Sequence, residues 1–293
     1  MEQQVTFMSD GLKLAGVLEL PQGCSASDRR PAFLLLHGFG SNKASPGMIT
    51  TARLLAQWGY ASLRFDMRGC GESEGTPGKV ICLEQVEDTK NALSYLATRA
   101  EIRSDCIGAL GNSFGAAVAV YTAGVDQRVA ACVSCGGWGD GASKFRKQHA
   151  SDEAWRKFSD MMARGKKVRT ETGKSIMVPR YDIVPIPQHL RTNLAPGSIL
   201  EFPFEVVESM YEFTANEVVG KIAPRPLLLL HAANDSVTPT EQSIELFKRA
   251  GQPSDLHLIA YTDHFMLGEG NDLVINLVHN WLQRHLPLTG KRA

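Results

Sequence analysis

The chain has no net charge: its 31 Lys and Arg residues are balanced by 31 Asp and Glu. That balance removes the global field that draws proteins to nucleic acid or to an anionic membrane, so neither is expected as a partner. Also missing is any apolar run near the ~18–20 residues that a membrane span requires. The opening Met1-Glu2-Gln3-Gln4 is polar and lacks the basic-then-apolar layout of an export signal, so a cytoplasmic location is expected. The six cysteines are scattered rather than arranged as a disulfide framework, which suits a reducing compartment. Cys132-Val133-Ser134-Cys135 has metal-like spacing, but no second cysteine pair or suitable histidine accompanies it. Two small core residues in an apolar strand are expected there, with no metal and no cofactor. Length sets no limit, because 293 residues can bury about three-quarters of the unfolded surface.

What is present is a chemical signature at Gly111-Asn112-Ser113-Phe114-Gly115. The apolar run Cys106-Ile107-Gly108-Ala109-Leu110 leads into it, and the small residues Ala116-Ala117-Val118-Ala119-Val120 lead out. This reads as strand, sharp turn and helix with a serine at the apex, the arrangement of a nucleophile elbow. The flanking glycines let the helix pack against the strand. Backbone amides at the helix start then face whatever the serine attacks, and the helix dipole favours negative charge there. The same G-x-S-x-G string recurs at Gly71-Glu72-Ser73-Glu74-Gly75, but Thr76-Pro77-Gly78 follows it, a loop signal rather than a helix start. Two glutamates beside Ser73 would also oppose an anionic intermediate. Context therefore selects Ser113.

Partners follow in chain order. Pro226-Leu227-Leu228-Leu229-Leu230-His231 is a continuous apolar run, as in a strand covered on both faces. It ends in Ala232-Ala233-Asn234-Asp235-Ser236, which puts Asp235 on a loop at a strand's carboxyl end, where catalytic groups of open α/β sheets collect. The next strand candidate, 256–261, leads into Thr262-Asp263-His264-Phe265 and places His264 on the neighbouring strand-end loop. A serine hydroxyl needs an adjacent base at neutral pH, histidine suits that role, and a carboxylate fixes the imidazole's tautomer. The other histidines fit worse: His257 lies within a strand, His279 and His285 on the solvent face of an amphipathic helix over 272–286, and His231 in the buried strand. His149 and His189 fall where no spacing assigns them a role, and Asp263 is adjacent to His264 rather than across from it.

Ser113…Asp235…His264 reproduces the order found in α/β-hydrolases, and over nearly its full length the chain resembles that superfamily, in particular its carboxylesterase-like serine hydrolases. His37-Gly38-Phe39-Gly40, after the apolar run Phe33-Leu34-Leu35-Leu36, resembles the family's HG-x-G oxyanion loop. The resemblance implies that the backbone N–H groups of Phe39 and Phe114 stabilise the oxyanion and that the His37 side chain braces the loop. Phe39 replaces the second glycine of the HGGG form, and its ring would line the acyl side and limit acyl size. Asp66-Met67-Arg68-Gly69-Cys70-Gly71-Glu72-Ser73 resembles the D-x-R-G-x-G-x-S loop of bacterial members, which implies a bracing role for Asp66 and Arg68.

The remaining pattern gives an α/β fold: a mostly parallel central sheet with helices on both faces. Segments 5–8 and 12–19 flank Asp10-Gly11, a hairpin signal. Strands follow at 33–36, 61–66, 106–110, 129–134, 226–231 and 256–261, with helices near 49–58, 83–98, 240–250 and 272–286. The alternation stops between 140 and 217. That stretch is expected as a cap inserted into a core formed by 1–139 and 218–293. Residues 140–180 carry eleven basic against five acidic residues, while 201–220 carry five glutamates and no basic residue. Glu201, Glu205, Glu208 and Glu212 would share one helix face, with Val207, Met210, Tyr211 and Thr214 on the other. Pairing of the two halves is favoured over attraction of an anionic substrate by residues 164–174. Trp138, Met210 and Tyr211 join Phe39 as candidate pocket residues.

The expected activity is cleavage of small to medium carboxylic esters through an acyl-enzyme, with a small-molecule acyl compound as partner; homo-oligomers are compatible with it. Thioester, amide or aminopeptidase and carbon–carbon bond hydrolysis use the same groups, and a ligand-binding protein on a hydrolase scaffold is the reading from another class. Dehalogenase and epoxide hydrolase chemistry is disfavoured, since those relatives use a carboxylate where Ser113 stands.

Overall fold

A computed structural model describes residues 1–268 and 270–288. The chain opens with a hairpin of β1 (Glu2–Ser9) and β2 (Leu12–Glu19), turned at Asp10 and Gly11, both with positive φ. Then come β3 (Arg30–Leu36), α1 (Pro46–Gln57), β4 (Ala61–Phe65), α2 (Cys82–Ala97), β5 (Ile102–Asn112), α3 (Phe114–Val125) and β6 (Val129–Cys135). Next follow α4 (Gly141–Gln148), α5 (Asp152–Thr172), β7 (Met177–Pro179), α6 (Arg180–Ile183), β8 (Glu201–Pro203) and α7 (Phe204–Glu212). The chain closes with β9 (Leu227–Ala232), α8 (Glu241–Arg249), β10 (Ser254–Ile259) and α9 (Asp272–His285).

Eight strands form one sheet in the order β1-β2-β4-β3-β5-β6-β9-β10. The β1–β2 and β2–β4 pairs are antiparallel and all others parallel. The apolar runs of β3 and β9 are continuous because both sheet faces are covered. Ala32, Leu34 and Leu36 join one core cluster with α2 and α3, while Phe33 and Leu35 join a second with α1 and α9. Leu227 and Leu229 divide from Leu228 and Leu230 in the same way. Pairing of Asn112 with Cys135, Cys135 with Leu230, and Leu230 with His257 aligns the carboxyl ends of β5, β6, β9 and β10. Loops leaving these strands therefore meet at one rim, as open α/β sheets require for a site.

Between β6 and β9 the chain leaves this sheet, and β7 and β8 pair only with each other. Here one expectation is corrected. Glu201 is not on a helix: it starts β8, and α7 begins only at Phe204, after Pro203. Thr214 likewise lies beyond α7 and bridges to Asp140. The basic and acidic stretches meet at one of the five glutamates: Glu208 on α7 receives Arg169 at 2.5 Å and Lys166 at 3.9 Å, both from α5. No helix among the described residues is long and apolar enough to cross a membrane.

Candidate active site

Ser113 stands between β5 and α3 with φ 56° and ψ −117°, a strained conformation for a residue with a side chain. It persists because the surroundings fix it: the Ser113 amide donates to the Cys135 carbonyl at 2.8 Å. The glycines on either side are needed for close approach rather than for positive φ. A Cβ on Gly111 would fall 2.1 Å from the Gly115 carbonyl oxygen, and one on Gly115 would fall 2.2 Å from that of Leu36. The helix is thus pressed against β3 and β5, and only glycine permits it.

The three predicted side chains meet. His264 Nε2 lies 2.7 Å from Ser113 Oγ, and Nδ1 lies 2.8 Å from Asp235 Oδ2 and 3.1 Å from Oδ1. Asp235 Oδ1 also accepts from the amides of Val237 and Thr238 at 2.8 and 2.7 Å. Burial works to raise the Asp235 carboxyl, but the His264 charge and hydrogen bonds from His231 and His264 outweigh it and hold the group well below its ordinary range. Asp263 serves elsewhere. Its carboxylate accepts from Ser236 N, Ser236 Oγ and its neighbour's amide, clasping the Asp235 and His264 loops together.

His231 is buried at the end of β9, as expected, yet it also supports the acid. Its ring bonds Ser243 Oγ and the Thr238 carbonyl, and Nε2 lies 3.4 Å from Asp235 Oδ2. The i, i+4 separation was the available signal, but across a strand end it carries no fixed geometry. Among the other histidines, His257 is exposed, while His279 and His285 are half-buried, His279 stacked on Trp58 and His285 tilted against Trp281. The last two correct the solvent-face expectation.

The depressed carboxyl has a consequence for stability. A group with a folded pKa below its unfolded value contributes stability above the unfolded value, about 3.8 for Asp, and that contribution fades as pH falls through the acid range. The stability gap between the wild type and Asp235→Asn is therefore expected to narrow from pH 6 to pH 3, as read by urea unfolding at each pH.

The oxyanion-type loop lies against the serine: a Cβ on Gly38 would sit 3.7 Å from Ser113 Cβ. The amides of Phe39 and Phe114 have no acceptor among the described residues, so both remain available as donors. His37 Nδ1 donates to the Gly38 carbonyl and Nε2 accepts from the Met67 amide; burial lowers its pKa, which keeps the ring neutral for both bonds. From the segment between β6 and β9, Arg180 Nη2 donates to the Phe39 carbonyl at 2.5 Å and so holds the loop in place. Nothing in the sequence distinguished Arg180 from the other basic residues around it.

A cavity opens on Ser113 and His264; Phe39, Trp138 and Met210 are among its lining residues, with Lys144 and Arg180. Tyr211 does not line it. Its ring packs with Phe145 and Phe158 on the other side of α7, one position around the helix from Met210, so its predicted pocket role is corrected.

The second serine string is a brace. Ser73 Oγ donates to the Asp66 carbonyl at 2.6 Å and accepts from the Ala15 amide at 2.9 Å. Asp66 binds Lys43 and the Glu72 amide, and Arg68 binds Asp88 and Asp10. Ser73→Ala is expected to cost about 1–3 kcal/mol by stranding that amide and carbonyl, measured by urea denaturation, with the Ser113 chemistry retained.

Comparison with known proteins agrees with this architecture. The polyketide transferase grgF of Penicillium sp is 24% identical, with 94% of each chain covered. The crystal structure of GrgF superposes with a TM-score of 0.80 at 20% identity, covering 98% of this chain and 99% of that one. The thiohydrolase aneE of Aspergillus aculeatus is 24% identical over 99% of this chain and 95% of its own. The structure of Est1E of Butyrivibrio proteoclasticus with ferulic acid bound gives a TM-score of 0.66 at 18% identity, covering 95% of this chain and 96% of that one. The sequence profile of the family described as serine aminopeptidase, S33, matches residues 27–271. The chain belongs to that family, and with it to the serine hydrolases of the α/β-hydrolase superfamily.

Proposed function

We propose that the protein cleaves carboxylic esters of small to medium size through an acyl-enzyme on Ser113. The observation that carries this reading is the unbroken relay from Ser113 Oγ to His264 at 2.7 Å and on to Asp235 at 2.8 Å. Ser113 Oγ attacks the ester carbonyl as its proton passes to His264 Nε2. Asp235 stabilises the imidazolium that forms, and the amides of Phe39 and Phe114 stabilise the oxyanion. The proton then passes to the departing alkoxide, and water activated by His264 releases the acid in a second cycle.

Residues 140–217 act in this reading as a cap over a core of 1–139 and 218–293, with Arg180 and Met210 supplied from the cap. Phe39, stacked on Phe202 with centroids 4.1 Å apart, limits the acyl chain. The same groups would open a thioester, and a relative named a thiohydrolase favours that as the second reading. A panel of p-nitrophenyl esters of rising acyl length, with a matched thioester, tests both. Short acyl chains are expected to turn over fastest; a maximum at long chains contradicts the role given to Phe39, and a strong thioester preference selects the second reading.

A further inference from the structure

Lys144, on α4, is 2% exposed, and its Nζ has no hydrogen-bond partner among the described residues. Lysines normally thread their ammonium to water along an apolar stem. This one ends instead in the cavity that holds Ser113, 4.0 Å from the centroid of Phe145 and 5.1 Å from that of Trp138. Those ring faces attract a cation but do not replace a counter-ion. Among the described residues no Asp or Glu lines the cavity, and the other lysine or arginine there, Arg180, is already committed to the carbonyls of Phe39 and Ile199.

Among the described residues, the titratable groups that act on Lys144 or feel its charge, Cys82 and His149, supply no negative charge. Burial pushes the Cys82 thiol up to about 12, and the His149 imidazole is shifted down by burial. Burial lowers the Lys144 ammonium to about 7, so the cavity holds it poised between charge states. An incoming anion would restore the proton and complete an ion pair where water is excluded.

We propose that Lys144 is a specificity residue that receives a carboxylate carried by the substrate, so that the preferred ester is a half-ester of a dicarboxylic acid or an equivalent acidic acyl compound. This rests on the ester-cleavage reading of the same cavity and names its substrate class. Residues 164–174 were the candidates for anion attraction in the sequence, but Arg169 and Lys166 face Glu208 on α7. The cavity's unpaired cation comes from α4 instead.

The test compares p-nitrophenyl butyrate with the mono-p-nitrophenyl esters of succinic, glutaric and adipic acid. At least one acidic ester is expected to exceed butyrate in kcat/KM by about 10–100-fold, the scale of a buried charge-assisted hydrogen bond. In Lys144→Met that ratio is expected to collapse toward one, and the unfolding temperature at pH 7 to stay level or rise, because an unpaired buried amine is removed. Ser113-dependent butyrate hydrolysis without an acidic preference overturns this inference and leaves the ester reading standing. A ratio unchanged in Lys144→Met, or a large fall in unfolding temperature with the ratio kept, assigns Lys144 a packing role and also overturns it. Should Lys144→Met not fold, Lys144→Gln gives the same ratio. A binding arm needs no turnover: monomethyl glutarate is expected to bind Ser113→Ala protein in calorimetry at least tenfold more tightly than dimethyl glutarate, and equal affinities contradict the proposal.

Discussion

Ser113→Ala is expected to lower kcat for p-nitrophenyl butyrate by roughly 10⁴–10⁶-fold, the range seen when a serine nucleophile is removed from comparable relays. The His264–Asp235 contact does not depend on the serine oxygen, so the fold should be unaffected and the loss should appear in kcat at unchanged unfolding temperature. A second substitution gives the sharper result. Because the three groups act as a unit, adding His264→Ala to Ser113→Ala should cost little more, whereas independent contributions would multiply. In the proposed mechanism the residual rate belongs to the amides of Phe39 and Phe114, which the double variant retains. Equal turnover by wild type and Ser113→Ala would place the chemistry elsewhere and favour a ligand-binding role for this cavity.

Gly115→Ala should be as damaging for a different reason. Its Cβ would approach the carbonyl oxygens of Leu36 and His37 to 2.2 and 2.6 Å, both of them backbone atoms of β3 and its loop. Neither can rotate away, so the helix must lift from the sheet at the point where it presents Ser113. Clashes with fixed backbone belong to the severe class of single substitutions, about 4–5 kcal/mol or more, against a total of roughly 5–15 kcal/mol for a typical domain. Little folded protein is expected, and urea unfolding of whatever accumulates measures the loss. Gly47→Ala is the control. Its Cβ would meet nothing nearer than 3.8 Å, in the first turn of α1. A change within about 1 kcal/mol, with alanine the better helix former, is expected there. Similar stability for both variants would mean that the elbow tolerates a side chain and that its glycines have another cause.

Both predictions draw on features legible in the sequence itself. Asp10-Gly11 announced its hairpin because both residues accept positive φ. Ser113, Asp235 and His264 were legible because each follows a strand, the first two strongly apolar, and carboxyl ends of neighbouring parallel strands must share a rim. The Ser73 string was separable by what comes after it, and its hydroxyl turns out to hold Asp66 and Ala15 together. The region between β6 and β9 was far less legible. Pro203 splits the acidic stretch into β8 and α7, so a helical period drawn through Glu201 crossed a strand. Tyr211 and Met210 are adjacent, yet one packs in an aromatic cluster and the other lines the cavity, and helical spacing alone does not say which face looks inward. Arg180 and Lys144 were hidden for a deeper reason. A long basic side chain in a basic segment reads as solvated, and its burial is decided by residues elsewhere in the fold, such as Phe39 for Arg180 and Trp138 for Lys144.

The proposed chemistry requires Ser113 to be the one activated hydroxyl, and a fluorophosphonate probe interrogates that directly. Native protein treated with the probe, digested and sequenced by mass spectrometry should carry one phosphonyl group on the peptide containing Ser113. Asp235→Asn protein should label far more slowly. A probe found on Ser73, or an unlabelled Ser113 in folded protein, contradicts the account.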